Sequence, residues 1–326
     1  MLLTHAKPDG DAIGSLVALH RALELVGVRC ESIVMGPVES ALLMAAGGTP
    51  LRRLEREGPP SDEPDVIAVV DTGSWSQLEP IAAWLRPRTA RAVGVDHHVR
   101  GDDVAGAGRL VEPACASTTQ ALVSVIEAMG VAIDGTAGRS SLESIATPLY
   151  MGLATDTGWF KFANADARVF ALASRLLAAG ARKEWLYATL EQNARPPRLA
   201  LTARALASLR LLADGRVALM TLSRRDFEAC GGGPEDIGGL VNEPMVLGGV
   251  RVAVLVSQHE PGSTRASFRS KPGVVGVAGE ATVDVNAIAA RLGGGGHMQA
   301  AGAKLAMDLP DAVREVERVV LETMSP

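Results

Sequence analysis

Residues 1–26 read MLLTHAKPDGDAIGSLVALHRALELV. A short apolar run, Met1–Thr4, stops at His5. From Gly14 to Val26 apolar side chains recur at helical spacing, and Gly27 is the expected stop. The chain therefore opens with a strand and then a helix. The strand signal returns twice. Val66–Val70 is a β-branched-rich run ending at Asp71, and Ala92–Val95 is another ending at Asp96. Helices are expected at Thr118–Met129, Pro148–Leu153 and Ala167–Ala179, with Gly130 and Gly180 just beyond the first and last. Short apolar strands alternating with helices predict an α/β fold, with a mainly parallel, doubly wound sheet covered on both faces.

The pattern changes near residue 193. Arg195, Pro196, Pro197 and Arg198 mark residues 194–204 as a linker. This divides the chain into a first domain, 1–193, and a smaller second one, 205–326. In the second part a helix is expected at about Leu199–Leu212 and strands at about Val217–Leu222, Val250–Ser257 and Thr264–Arg269. A helix at Val285–Leu292 runs into four glycines, and a last helix covers about Leu309–Glu322. These elements predict a C-terminal α+β domain.

The 326 residues are enough for two domains at ~100–200 residues each. Lysine and arginine number 32 against 37 acidic residues, a formal balance of −5, and only 3% of residues are aromatic. A binder of long nucleic acid needs a basic footprint and often stacking platforms, so these numbers argue against one. They leave room for a small anionic substrate at one local site. Residues 1–193 hold 17 basic and 23 acidic residues, net −6, while the remainder hold 15 and 14, net +1. Cys30, Cys115 and Cys230 are widely spaced and form no C-x-x-C, which fits a reducing cytoplasm and gives no thiolate zinc site. No run of ~18 apolar residues predicts a membrane span.

Four clusters carry chemistry: His5 with Asp9 and Asp11, then Asp71, then Asp96-His97-His98, and finally Asp156 within Thr155-Asp156-Thr157-Gly158. Taken singly, each has a plain structural reading. Asp9-Gly10-Asp11 reads as a turn, and Asp71 and Asp156 read as helix caps. The first three clusters, however, directly follow apolar strands, and ligands bind at the carboxyl ends of strands in open α/β sheets. Carboxylates and imidazoles gathered at one edge repel each other unless cations are bound. Oxygen-rich sites with some imidazole suit Mn²⁺ or Mg²⁺, and this many carboxylates favour two ions bridged by a residue such as Asp71.

In the second domain Gly293, Gly294, Gly295 and Gly296 lack Cβ atoms, so their N–H groups can approach a phosphate closely. They are expected to lead into an element at His297, where a helix N-terminus would favour an anion. Arg265 and Arg269 alternate with Ala266 and Phe268, which puts both arginines on one strand face. Arginine suits bidentate phosphate contact. His20 and His259 read as structural or exposed, and Ser117-Thr118-Thr119 reads as an N-cap cluster.

The chain resembles the DHH phosphoesterase superfamily. H-x-x-P-D-G-D-A-I-G-S at 5–15, V-V-D-T-G at 69–73, D-H-H at 96–98 and T-D-T-G at 155–158 match its four motifs in order. R-A-S-F-R-S at 265–270 and G-G-G-G-H-M-Q-A-A-G at 293–302 resemble the DHH-associated domain of the NrnA-like oligoribonuclease and pAp-phosphatase subfamily. The resemblance implies a Mn²⁺-dependent hydrolase, with Mg²⁺ as the alternate ion, acting on short RNA and on 3′-phosphoadenosine 5′-phosphate (pAp) by two-metal activation of water. By the same resemblance His5 and Asp9 hold one ion, Asp11, His97 and Asp156 hold the other, and Asp71 bridges them. His98 faces the scissile phosphate, and Asp96 orients a neighbouring imidazole. Arg265, Arg269, Ser270, the four glycines and His297 hold the substrate's other phosphate or terminal nucleotide. The implied protein is cytoplasmic, binds no long duplex and no membrane, and is a candidate homodimer. The alternative within the family is a phosphodiesterase for a cyclic dinucleotide, c-di-AMP, or its linear product. Outside enzymology it is a catalytically silent nucleotide sensor. Family members usually carry a helix before the first strand, whereas four residues precede His5 here. The resemblance thus implies either a missing helix or a start assigned too late.

Overall fold

The computed structural model describes residues 1–99, 101–133, 144–271 and 282–324. The chain divides into two compact units, Met1–Asn193 and Ala194–Pro326. In the first, the elements run β1 (Leu2–Leu3), α1 (Gly10–Leu25), β2 (Ser32–Val34), α2 (Ser40–Ala45), β3 (Leu51–Arg53), α3 (Leu54–Glu57), β4 (Ile67–Val70), α4 (Ala82–Leu85), β5 (Ala92–Asp96), β6 (Gly108–Val111), α5 (Thr118–Ala128), α6 (Ala146–Asp156), α7 (Ala167–Ala178) and α8 (Lys183–Glu191).

The six strands form one sheet in the order β3-β2-β1-β4-β5-β6, and every pairing is parallel. The winding reverses between β1 and β4. At such a point the loops leaving neighbouring strands part in opposite directions and open a crevice at the strands' carboxyl ends. Alternation along the strands explains why they read as unbroken apolar runs. Leu2, Val34, Ala68, Val70 and Val95 pack in the core shared with α1, α5 and α6. Leu3, Ile33, Ile67, Val69 and Ala92 pack on the opposite face with Ile81 and Leu85. A strand buried on both sides has no place for an alternating polar residue.

Helix α1 begins four residues before the expected Gly14. Asp9 caps it, its Oδ1 accepting from the N–H groups of Asp11 and Ala12 at 3.1 and 3.0 Å. A side-chain acceptor at that position satisfies donors that otherwise have no partner in the first turn. The apparent turn at residues 9–11 is thus a helix start.

The second unit comprises α9 (Pro196–Ala207), β7 (Arg210–Leu212), β8 (Val217–Leu222), α10 (Arg224–Cys230), β9 (Val252–Glu260), β10 (Ser263–Ser270), α11 (Val285–Arg291), β11 (Gly295–His297), β12 (Ala300–Leu305) and α12 (Leu309–Met324). Its sheet runs β11-β12-β10-β9-β8-β7, with β8 and β9 parallel and the other pairs antiparallel. One face packs Val254, Val256, Ala266 and Phe268 against α11 and α12. The other packs Met220, Ala253 and Leu255 against Leu201 and Phe227.

Three expectations are corrected here. Residues 196–204, read as linker, are helical: prolines at the first helical positions are preorganised in φ and lack only N–H groups that would go unpaired anyway. That helix stops at Ala207, and the stretch read as its continuation to Leu212 is strand β7. No helix begins at His297, because Gly295–His297 pairs antiparallel with β12. A side chain at Gly294 would collide with the carbonyl of Gly302, so the glycine is set by the close approach of two backbones.

Phe268 is fully buried between β10 and the helices of its unit. Phe268→Ala should destabilise the second unit by about 3–5 kcal/mol, from lost transfer energy plus a cavity. A denaturant titration should show a lower midpoint with an unchanged slope.

Candidate functional site

The parallel sheet delivers its acidic and imidazole residues to one edge. His5 stands two residues past β1, Asp9 and Asp11 at the start of α1, and Asp71 directly past β4. Asp96 ends β5, with His97 and His98 after it, and Asp156 is the last residue of α6. Elements from five places in the chain thus meet around Asp71, which is 2% exposed. Its backbone has φ 62°, in the left-handed region that costs a non-glycine residue about 1–2 kcal/mol. Such a conformation persists only where its surroundings hold it.

His5 Nε2 lies 3.5 Å from Asp71 Oδ2 and 3.9 Å from Asp9 Oδ1. His97 Nε2 lies 3.8 Å from Asp71 Oδ1 and 3.3 Å from Asp156 Oδ2. In both rings the other nitrogen faces a backbone carbonyl: His5 Nδ1 donates to Ala6 O at 3.1 Å, and His97 Nδ1 to Cys115 O at 3.3 Å. A carbonyl can only accept, so each Nδ1 carries a hydrogen. Each Nε2 is left as the ring atom that faces the carboxylate oxygens. His97 Nε2 is buried and makes no hydrogen bond. Burial also lowers the His97 pKa, against the pull of Asp11, so the ring is held neutral.

The carboxylates are crowded as well. Burial pushes Asp71 well above the usual carboxylate range, and the charges of Asp11 and Asp9 add to it. Burial, then Asp11, Asp9 and Asp71, push Asp156 up to about 10. Burial raises Asp11 too, although it accepts from the N–H groups of Thr119 and Thr118 at the start of α5, at 3.0 and 2.6 Å. The Thr118 hydroxyl donates to Asp71 Oδ1 at 2.9 Å.

Imidazole nitrogens and carboxylates turned toward one another form donor sets that cations between them would complete. His5, Asp9 and Asp71 form one group whose donor atoms lie within 4.8 Å of each other. Asp11, His97 and Asp156 form a second, and Asp71, His97 and His98 a third. Oxygen-rich sets with an imidazole fit Mn²⁺ or Mg²⁺, and the unpartnered His97 nitrogen is the donor that such an ion would complete.

His98 differs from the other imidazoles. Its Nδ1 is 2.8 Å from Asp96 Oδ1, and that hydrogen bond raises its pKa. Burial would raise Asp96, but the His98 ring and the backbone N–H groups of His98 and His97 bring its carboxyl below the ordinary value. The pair therefore holds a proton on a half-exposed ring beside the carboxylate group.

In the second unit Arg265 and Arg269 share one face of β10, as the alternation predicts. Arg269 is opposite Ala300 on β12, which is opposite His297 on β11, so Arg269 and His297 stand in one row on the same face. Ser270 alternates to the other face, where its Oγ lies 3.4 Å from Met298 O. Strand β11 is at the sheet's edge, so its outer N–H groups have no ladder partner.

Sequence reasoning passed over Thr118. Its hydroxyl and N–H both serve the site, yet it reads as part of an ordinary cap, and Ser117 does cap α5. The signal was the run of three hydroxyl residues before a helix that follows the D-H-H cluster.

Residues 1–153 match the DHH family, N-terminal domain, and residues 216–322 match the DHHA1 domain. Over 327 residues the chain is 31% identical to a protein of Thermus thermophilus named bifunctional oligoribonuclease and PAP phosphatase NrnA, covering 99% of this chain and 90% of that one. A Streptococcus mutans protein named probable bifunctional oligoribonuclease and PAP phosphatase NrnA is 24% identical, over 92% of this chain and 87% of its own. In fold the chain is similar to the crystal structure of an exopolyphosphatase-related protein from Bacteroides fragilis, with TM-score 0.86 and 24% identity over 99% of this chain and 92% of that one.

Two outcomes are expected of this site. Asp156 binds its proton more tightly folded than unfolded, so its stabilising contribution is full below about pH 4 and is lost as pH rises toward 10. Metal-stripped protein should therefore lose thermal stability between pH 5 and 9 (roughly) more steeply than its Asp156→Asn variant, and calorimetry should show the two curves converging at acid pH. A Cβ on Gly152 would collide with Asp11 Oδ1 and sit 2.5 Å from Thr119 Cγ2. Gly152→Ala should cost about 1–3 kcal/mol by overpacking, despite the gain in helix propensity, and weaken divalent-ion binding in a titration.

Proposed function

The chain belongs to the DHH family, and on that premise we propose that it hydrolyses short oligoribonucleotides and pAp with two Mn²⁺ ions. As a member of the DHH phosphoesterase family it is a hydrolase, and that family is metal-dependent. The observation that carries the finer reading is the position of Asp71. Its two oxygens stand 3.5 Å from His5 Nε2 on one side and 3.8 Å from His97 Nε2 on the other. One carboxylate between two donor groups suits a bridge.

In this reading His5 and Asp9 hold one ion, and Asp11, His97 and Asp156 the other. Bound there, the ions supply a lowered pKa for water and neutralise charge on the phosphoryl oxygens. The chain's own residues do the rest. The α5 N–H groups of Thr118 and Thr119 fix Asp11, and the Thr118 hydroxyl fixes Asp71, so the donors do not have to reorganise. Asp96 holds the proton on His98 Nδ1 and leaves Nε2 to donate to a phosphoryl oxygen as charge develops there. Arg265, Arg269, Gly293–Gly296 and His297 bind the substrate's remaining phosphate or nucleotide, whereas Ser270, buried on the other face of β10, does not reach the face the arginines share. The names of the two relatives support the substrate pair. We also place the protein in the cytoplasm, as a homodimer; its three cysteines form no disulfide, which supports the first of these.

Purified protein with Mn²⁺ should hydrolyse dinucleotides and pAp, and Asp71→Asn should abolish both activities while the fold is retained. Turnover of c-di-AMP in preference to these would move the reading to a cyclic-dinucleotide phosphodiesterase. Full activity of Asp71→Asn would sink the bridged arrangement.

A further inference from the structure

Just past Asp156, three consecutive residues have left-handed backbones: Gly158, Trp159 and Phe160, with φ 57°, 56° and 64°. Only the first is glycine, so the other two are held against their own preference. Their rings supply the hold. Phe160 packs against Tyr150 and Phe170, with ring centroids 5.7 and 5.6 Å away. Trp159 meets Tyr187 edge-on at 4.9 Å, and its Nε1 donates to Glu191 Oε1 at 2.7 Å. The turn doubles the chain back on itself: the N–H groups of Lys161 and Phe162 both donate to Thr157 O at 3.0 Å. The segment leaving α6 thus returns to the end of the helix it has just left.

Asn164 closes this loop. Its Nδ2 donates to Asp156 O at 3.1 Å and to Ala116 O at 3.4 Å. Both partners can only accept, so the amide must turn its nitrogen to them, and that nitrogen has two hydrogens to give. Asp156 O belongs to the last turn of α6, whose carbonyls have no partner within the helix. Ala116 lies in the short segment that orients two other side chains of the site. Cys115 O accepts from His97 Nδ1, and the N–H groups of Thr118 and Thr119 donate to Asp11. One exposed amide therefore ties the helix end that carries Asp156 to the segment that orients His97 and Asp11. Those three are one donor group, with ligand atoms within 4.8 Å of one another.

We propose that Asn164 is a positioning residue that sets the affinity of the ion held by Asp11, His97 and Asp156. It acts through two backbone carbonyls and touches neither ion nor substrate. Partners behind the ligands fix their orientation and so tune metal affinity. The inference rests on the two-ion reading above. Among the described residues the Asn164 side chain bonds only to Asp156 and Ala116, so its tie does not reach His5 or Asp9. The effect is accordingly one-sided: the ion at Asp11, His97 and Asp156 depends on Asn164, and the ion at His5 and Asp9 does not.

The test is a Mn²⁺ titration of the metal-stripped full chain, followed by calorimetry and by the electron paramagnetic resonance of the free ion. Wild-type protein should bind in two steps, and the step that Asp156→Asn weakens marks the ion in question. Asn164→Ala should weaken that same step roughly 3–10-fold, as for one lost hydrogen bond, and leave the other within about twofold. Because Asn164 is exposed, the variant should keep its fold, read as an unchanged far-ultraviolet circular dichroism spectrum. Two unchanged steps overturn the proposal and leave the two-ion reading intact. Two steps weakened alike also overturn it, since they report a general loosening. Wild-type protein that binds a single ion overturns the two-ion reading instead. The role of Asn164 then stands if Asn164→Ala weakens that ion and falls if it does not.

Discussion

Asp71 is a carboxylate buried at the point where the sheet reverses its winding, with two imidazole Nε2 atoms and several other carboxylates turned toward it. Asp71 and Asp11 are buried, so a charge on either costs more than it would at the surface, and protonation or a bound cation has to make up the difference. The architecture of the first unit follows from holding this cluster together. Parallel strands β1, β4 and β5 bring their ends to one edge. The N-terminus of α5 grips Asp11 with two N–H groups, and Gly152 on α6 leaves room for that carboxylate to sit where it does.

The second unit presents the complementary situation. Its surplus is of cations, with Arg265 and Lys304 opposed across strands and Arg269 partly withdrawn from water. The near-neutral balance of the whole chain conceals this. Each unit gathers side chains of one sign, carboxylates around Asp71 in the first and Arg265, Arg269 and Lys304 on one sheet face in the second.

Much of the first unit was legible because its chemistry stands where strands end. Asp71 and Asp96 directly follow or close β-branched runs, so a parallel-sheet reading places them together without further information. Asp156 required the motif resemblance, since it ends a helix and reads as a cap. The helix start at Gly10 was missed because Asp-Gly-Asp favours turns as strongly as caps, and only the strand before it decides between them. Thr118 was missed for a related reason: a hydroxyl that caps a helix and one that holds a carboxylate look alike in sequence. In the second unit the arginine alternation was legible, but Lys304 was not. Its partner Arg265 is 39 residues earlier in the chain, and only the β10–β12 register brings the two together. The glycine run misled because Gly-rich segments serve close backbone approach in strands and at helix starts alike.

In the proposed site Asp71 bridges two cations. Crystals grown with Mn²⁺ and measured for anomalous scattering at the manganese edge test it most directly. Two peaks should flank the Asp71 carboxylate, about 3.5–4 Å apart, one beside His5 and Asp9 and one beside Asp11, His97 and Asp156. A single peak, or peaks that leave Asp71 without an ion on either oxygen, would contradict it.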